Sequence, residues 1–387
     1  MNFSLNKPLI PLISFLLYYT QGFIIPYSSV LSQGLLLIYL LYGVFCIYKV
    51  HTKTISSLTL AIDIFLVIQI VWSICTPYKY IVREPADVTY LTNIRMVLAS
   101  IISYYISTYY VRKGLLNTKT FIYFFIIYIF LTIPKFIYNE IQILESYWSR
   151  GSTRENITNN IGYLFLTSFC VFPLLTKYKK FSLAILITVI IFILYSSKRG
   201  AILILGFLLL LYIPRLLKDS KKGRLFIILG LIVLGIITIN YINDNEYLID
   251  RFIELKDGNS SGRDSLYEDI WSYCTGANAS LITLLFGHGV NSTFVIAGNL
   301  AHNDWLELFC CCGLIGVIAY VSLFINLIRG YKRLPYSPYK ESEKYAIIIL
   351  FLKSLFSQSY TTATIIFLVI GFTQAILKYN KDDQKFL

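Results

Sequence analysis

The side chains whose types and settings could do chemistry are Arg199, Arg263 and His302. Arg199 lies in the short turn Ser196-Ser197-Lys198-Arg199-Gly200 between two apolar runs. An arginine stays charged and meets a phosphate with two parallel hydrogen bonds. Arg199, with Lys198 beside it, could therefore fix a phosphate at the depth of lipid headgroups. The competing reading is an interfacial pair whose stems lie in lipid while the charges reach water. Arg263 opens the segment Arg263-Asp264-Ser265-Leu266-Tyr267-Glu268-Asp269-Ile270-Trp271. It is either a second phosphate clamp or a surface partner of Asp264 or Glu268. His302 stands in Ala301-His302-Asn303-Asp304-Trp305-Leu306-Glu307. Only histidine titrates near neutrality unperturbed, so His302 is a candidate general base, with Asp304 or Glu307 near enough to orient the ring. The alternative is a helix-capping role shared with Asn303 or Asp304. His288, between Gly287 and Gly289, reads as a turn residue.

The elements that must position these groups are membrane helices. The chain has 387 residues, is 56% hydrophobic and only 14% charged, and has a mean hydropathy of +0.65. A soluble domain carries about 25% charged residues. The apolar residues fall in runs long enough for a helix to cross about 30 Å of hydrocarbon. The runs place spans at 8–26, 28–48, 55–76, 94–111, 118–138, 157–176, 181–197, 200–214, 224–241, 303–328, 344–359 and 361–378. The expected fold class is all-α, a polytopic membrane protein of about twelve helices forming one integral membrane domain. Lys7 precedes the first run, but no small-residue cleavage site follows, so that run reads as a retained helix. A short polar break, Ser357-Gln358-Ser359, divides the last two spans.

Most of the 34 basic residues fall on one side of this arrangement, for example Arg112 and Lys113, Lys179 and Lys180, Lys221 and Lys222, and Arg329 to Arg333. By the positive-inside rule both termini are cytoplasmic and the opposite face is periplasmic. The net charge of +13 is then mostly an orientation signal matched to anionic lipids, not a nucleic-acid footprint. The long connection 242–302 is outward and rich in charge. Within it, Ser261 to Cys274 reads as a short amphipathic helix with Leu266, Ile270 and Trp271 on one face, able to lie over a cavity. Two smaller outward loops, 77–93 and 139–156, also carry charge.

Soluble-enzyme signatures are missing. There is no GxxxxGK[ST] phosphate loop, no GxGxxG and no HExxH. Asp63 is the one clear carboxylate within a span, and no internal repeat marks a transporter. The seven cysteines suggest no disulfide framework: Cys274 has no partner in its own loop, and Cys310-Cys311-Cys312 reads as packing, not as a metal site.

Taken in order, Ser197 to Ala201, Gly262 to Trp271, Gly287 to Gly289, and His302 to Gly316 resemble the O-antigen polymerase and O-antigen ligase superfamily. The topology fits throughout, and the motifs run from about 190 to 320. The resemblance implies a GT-C-type membrane glycosyltransferase of the bacterial inner membrane, working on the periplasmic face without metal or other cofactor. Its donor would be a glycan on undecaprenyl pyrophosphate. Its acceptor would be a second lipid-linked repeat for a polymerase, or lipid A-core for a ligase. A lipid-linked oligosaccharide transporter is the further alternative, and a chain-length regulator the additional partner such a system allows. The resemblance implies catalytic roles for His302, Arg199 and Arg263, which should converge on one outward cavity. Lys198, Asn303, Asp304, Trp305, Trp271 and Asn291 are expected to contact pyrophosphate or sugar.

Overall fold

The computed structural model describes residues 10–19, 30–53, 55–76, 90–148, 158–175, 178–217, 263–276, 279–357 and 359–379, with isolated positions between 228 and 253. The ninth expected span, most of the outward connection before Arg263, the middle of the loops 77–93 and 139–156, and Gln358 of the polar break lie outside the described residues.

Every regular element described is helical. The order is α1 (Ile10–Tyr19), α2 (Val30–His51), α3 (Ser57–Cys75), α4 (Tyr90–Arg112), α5 (Thr118–Trp148), α6 (Gly162–Thr167) continued by the 3-10 turn Ser168–Leu175, α7 (Lys179–Tyr195), and α8 (Arg199–Leu217). Then come α9 (Arg263–Thr275), α10 (Leu281–Phe286), α11 (Ser292–Ala297), α12 (Asp304–Arg333), α13 (Pro338–Phe356), the 3-10 turn Tyr360–Thr362, and α14 (Thr364–Tyr379). Four described stretches, Val30–His51, Ser57–Cys75, Thr118–Glu145 and Asp304–Arg333, are long and apolar enough to cross a bilayer. Gly162–Leu175, Lys180–Tyr195 and Thr364–Tyr379 are shorter apolar helices. The protein is thus an all-α membrane protein. Several helices outrun the expected spans, most clearly α5. Its C-terminal Tyr138–Glu145 stretch is more polar than a bilayer core and extends the helix beyond the expected edge.

The chain divides into two compact units. The first holds residues 1–19, 30–121 and 262–387, the second 20–29 and 122–261. The core of the first is α14 packed along α4. Ser100, Ser103 and Ser107 recur on one face of α4; Ser100 donates to Thr361 O (2.8 Å) and Ser103 to Thr364 O (2.6 Å). Lipid tails are as apolar as leucine, so small hydroxyl residues that let backbones approach closely are what hold such helices together. Asp63, the expected lone carboxylate, accepts from His51 Nε2 (2.7 Å) and from the Tyr105 hydroxyl.

In the second unit Phe136, Phe165 and Phe192 form an aromatic cluster; Phe165 and Phe192 stack at 4.9 Å. Above it Asn159 ties three elements together. Its Nδ2 donates to Phe136 O (3.2 Å) and to Glu140 Oε2 (3.0 Å), and its backbone N–H donates to Ser196 O (2.9 Å).

Candidate functional site

In the second unit the candidate side chains Lys198 and Arg199 are set by a tight turn. Ser196 caps α7, its Oγ donating to Ile193 O (2.6 Å) and accepting from Lys198 N (3.4 Å). Ser197 takes a left-handed φ of 51°. The chain is thereby turned straight into α8, of which Arg199 is the first residue. Lys198 and Arg199 are half-buried. Two cations beside the positive end of a helix make this corner a place where an anion is favoured. Asn159, buried and bonded to Ser196 O, holds the turn from below; nothing in the local sequence marks it.

In the first unit the His302 turn is built by its neighbours. His302 itself adopts φ 52°, a left-handed conformation uncommon for a residue with a side chain, and it is half-buried. On its N-terminal side the Ala301 N–H donates to Glu307 Oε2 (2.8 Å), while Glu307 Oε1 accepts from Thr293 Oγ1 (2.8 Å). On its C-terminal side Asn303 caps α12, its Oδ1 accepting from Trp305 N (2.9 Å) and Leu306 N (3.2 Å). Asp304 is fully buried. It accepts from Ser359 N (2.8 Å), the Ser359 hydroxyl, Tyr360 N (3.3 Å) and Tyr320 OH (2.8 Å). Of the two carboxylates expected beside the imidazole, Glu307 thus holds the backbone just before His302, while Asp304 holds the Ser359–Tyr360 turn and the Tyr320 hydroxyl.

The last turn of α13 gathers the rest. Trp305 Nε1 donates to Ser354 Oγ (3.1 Å), Asn303 Nδ2 to Leu355 O (3.4 Å) and Arg263 Nη1 to Phe356 O (3.5 Å). The final carbonyls of a helix have no partner within it and carry the negative end of its dipole, so a guanidinium and an amide are suitable donors there. The structure thus brings Arg263 and the His302 turn together. Between them lies Tyr267, a residue the sequence reading missed. Burial raises its hydroxyl pKa, while Arg263 and a hydrogen bond with Asn303 counter that.

The helix α9 covers the head of α12, with its inner face running through Leu266, Ile270 and Cys274. The last two are buried with Ala301 and Cys310. Trp271, expected on that face, leans on Phe309 (5.5 Å between centroids) but is 56% exposed. Trp305 is committed elsewhere, its ring against Tyr320 and Phe324. Asn291, another expected contact, is buried in a left-handed turn before α11.

A backbone clasp completes the arrangement. At Gly313 the helix α12 breaks from helical geometry, with φ 64° and ψ −162°. His288 N donates to Cys310 O (2.8 Å) and Gly289 N to Cys311 O (2.9 Å), carbonyls freed by that break. Gly287 and Gly313 make the approach possible. A Cβ on Gly287 would lie 2.5 Å from the Cys311 carbonyl, and one on Gly313 would lie 2.5 Å from the Leu285 carbonyl.

The chain is thus a membrane protein of helices, with paired cations at the start of α8 in one unit and a guanidinium beside the His302 turn in the other. Residues 183–321 match the family described as O-Antigen ligase (Wzy_C), a segment that includes Arg199, Arg263 and His302. The matched segment is well under half of the chain; it is similar to a family whose members are glycosyltransferase-like enzymes, in keeping with the O-antigen ligase and polymerase resemblance. No curated protein and no solved structure matches the chain.

Proposed function

We propose that the protein is a polymerase of undecaprenyl-pyrophosphate-linked repeat units, building an O-antigen or capsule chain on the periplasmic face of the inner membrane. This reading includes the twelve-span GT-C-type arrangement with cytoplasmic termini. The observation that carries it is the pinning of Arg263 and Asn303 on consecutive carbonyls of α13, which fixes a guanidinium beside the His302 turn.

The reaction is a substitution at the anomeric carbon. A hydroxyl of the acceptor sugar attacks, the bond from that carbon to the pyrophosphate oxygen breaks, and the hydroxyl proton passes to His302. Negative charge grows on the departing pyrophosphate. Arg263 supplies fixed positive charge for it beside the His302 turn, which is the role a metal plays in other glycosyl transfers, and Arg199 with Lys198 offers a phosphate corner within the second unit. Such preorganised donors act without reorganising as the bond breaks. Trp271 offers an exposed ring for the glycan.

The family description favours a second reading, a ligase that passes the finished glycan to lipid A-core. One experiment separates them. Wild-type and His302→Ala proteins, equally expressed, are placed in a polymerase-null strain carrying the matching glycan locus and in a ligase-null strain. A glycan ladder restored only in the first, and lost with His302→Ala, supports the polymerase. Rescue of only the second strain supports the ligase. Rescue of both strains by the His302→Ala protein would remove His302 from the chemistry.

A further inference from the structure

We propose that Cys274 and Cys310 form a redox pair that closes into a disulfide and staples the loop helix α9 to the head of α12. Cys274 sits at the end of α9 and Cys310 two turns into α12, yet both belong to one buried cluster with Ile270 and Ala301. They are 3% and 0% exposed, and the two thiols meet inside that cluster. The neighbouring thiols have other partners: Cys311 donates to Glu307 Oε1 (3.6 Å), and Cys312 accepts from Gln69 Nε2 (3.7 Å). Cys310 also meets Ser292 Oγ (3.3 Å), and of the triple run it is the one buried in the cluster that holds Cys274.

A third group makes the pair reactive. His288 lies against Cys274, its ring packed edge-on to Tyr273 at 5.1 Å. Its Nε2 is buried and makes no hydrogen bond among the described residues. The Cys310 thiol and the His288 ring together hold the Cys274 thiol below its ordinary value. The thiolate is the nucleophile in exchange, and an imidazole beside it raises the thiolate fraction.

The step balances with a protein disulfide of a thiol oxidoreductase as the oxidant. The Cys274 thiolate attacks one sulfur of that disulfide and releases one thiolate. The Cys310 thiolate then attacks the Cys274 sulfur of the mixed disulfide and releases the second. Two cysteines of this chain lose two protons and two electrons, and the carrier leaves as a dithiol. Because loop 242–302 reads as outward, such carriers are available to it. The product fixes α9, and with it Arg263 at the opposite end of the same helix.

The test uses the full-length protein in detergent and diamide as the probe; the diazene takes up the two electrons and two protons. After denaturation, free thiols are counted by maleimide mass tagging. The oxidised wild type should carry two fewer tags than the seven of the reduced protein. Cys274→Ser and Cys310→Ser should each keep the count they have when reduced. A chymotryptic map of oxidised wild type, independent of either variant's folding, should join the peptide starting at Cys274 to the one starting at Cys310. An unchanged wild-type count, a loss that persists in Cys274→Ser, or a map showing only links within Cys310 to Cys312 would overturn the proposal.

Discussion

Arg263 and Asn303 come from stretches of chain forty residues apart in the sequence, and they donate to adjacent carbonyls, Phe356 O and Leu355 O. The end of α13 is the bench on which the candidate site is assembled. An arginine bound there through one Nη, with the Tyr267 hydroxyl beside it, is held in a fixed pose next to the His302 turn.

That geometry predicts different outcomes for two substitutions. Arg263→Ala removes both charge and anchor, and transfer should fall about 10²–10³-fold, the usual cost of losing one fixed donor in a charge-stabilising site. Arg263→Lys keeps the charge but cannot bridge carbonyl and phosphate together, so it should recover little. Glycan product per unit of membrane protein is the readout, and full activity of the lysine variant would contradict the bridging role.

For His302 the expected outcome lies in the pH profile. A general base works unprotonated, so wild-type activity should decline as pH falls. His302→Ala should lose that acid limb and drop about 10²–10⁴-fold. Initial rates with a lipid-linked donor across a pH series would show it.

Asp304→Asn tests the turn instead of the chemistry. The carboxylate accepts from two backbone N–H groups and two hydroxyls. An amide turns one of those acceptors into a donor facing donors, at a cost of about 1–3 kcal/mol. A lower melting temperature in detergent should accompany the lost activity, while Ser359→Ala should lower it less.

Gly313→Ala should be among the most damaging single changes. It places a methyl group against the Leu285 carbonyl and imposes a side chain on a positive φ. Overpacking alone costs about 1–3 kcal/mol, and the conformation adds to it. Circular dichroism melts compared with Gly206→Ala, where open space surrounds the added carbon, would isolate the effect.

The Cys274 thiol, held low by Cys310 and His288, should react at lower pH than an ordinary thiol of about 8.5. The reactive thiolate increases with pH, so a depressed pKa moves the half-maximal rate of diamide oxidation downward. His288→Gln should move it back up. A midpoint that ignores His288 would mean that the imidazole plays no part.

The sequence made some of this visible and hid the rest for a physical reason. Apolar runs give helices, and the Ser-Lys-Arg-Gly and His-Asn-Asp patterns mark local turns, so α8 and α12 begin about where expected. The amphipathic reading of α9 holds for Leu266 and Ile270, but Cys274 completes the buried face where Trp271 had been expected. Asn159 and Ser354 left no local signal, and Ser359 showed only as part of a polar break. Their partners lie tens of residues away, and no spacing rule links a serine after one helix to an aspartate before another. The same holds for Cys274, whose partner sits on a different element.

The clasp between Gly289 and Cys311 uses only backbone atoms, as does the one between His288 and Cys310. Main-chain atoms are the same whatever the side chain, so this attachment carries no demand on residue identity beyond the two glycines that permit it. The stretch that follows is seated by side chains as well, since Thr293 donates to Glu307 and Ser292 meets Cys310. Changes confined to its exposed positions, such as Val295, therefore leave its seat on the membrane helix intact.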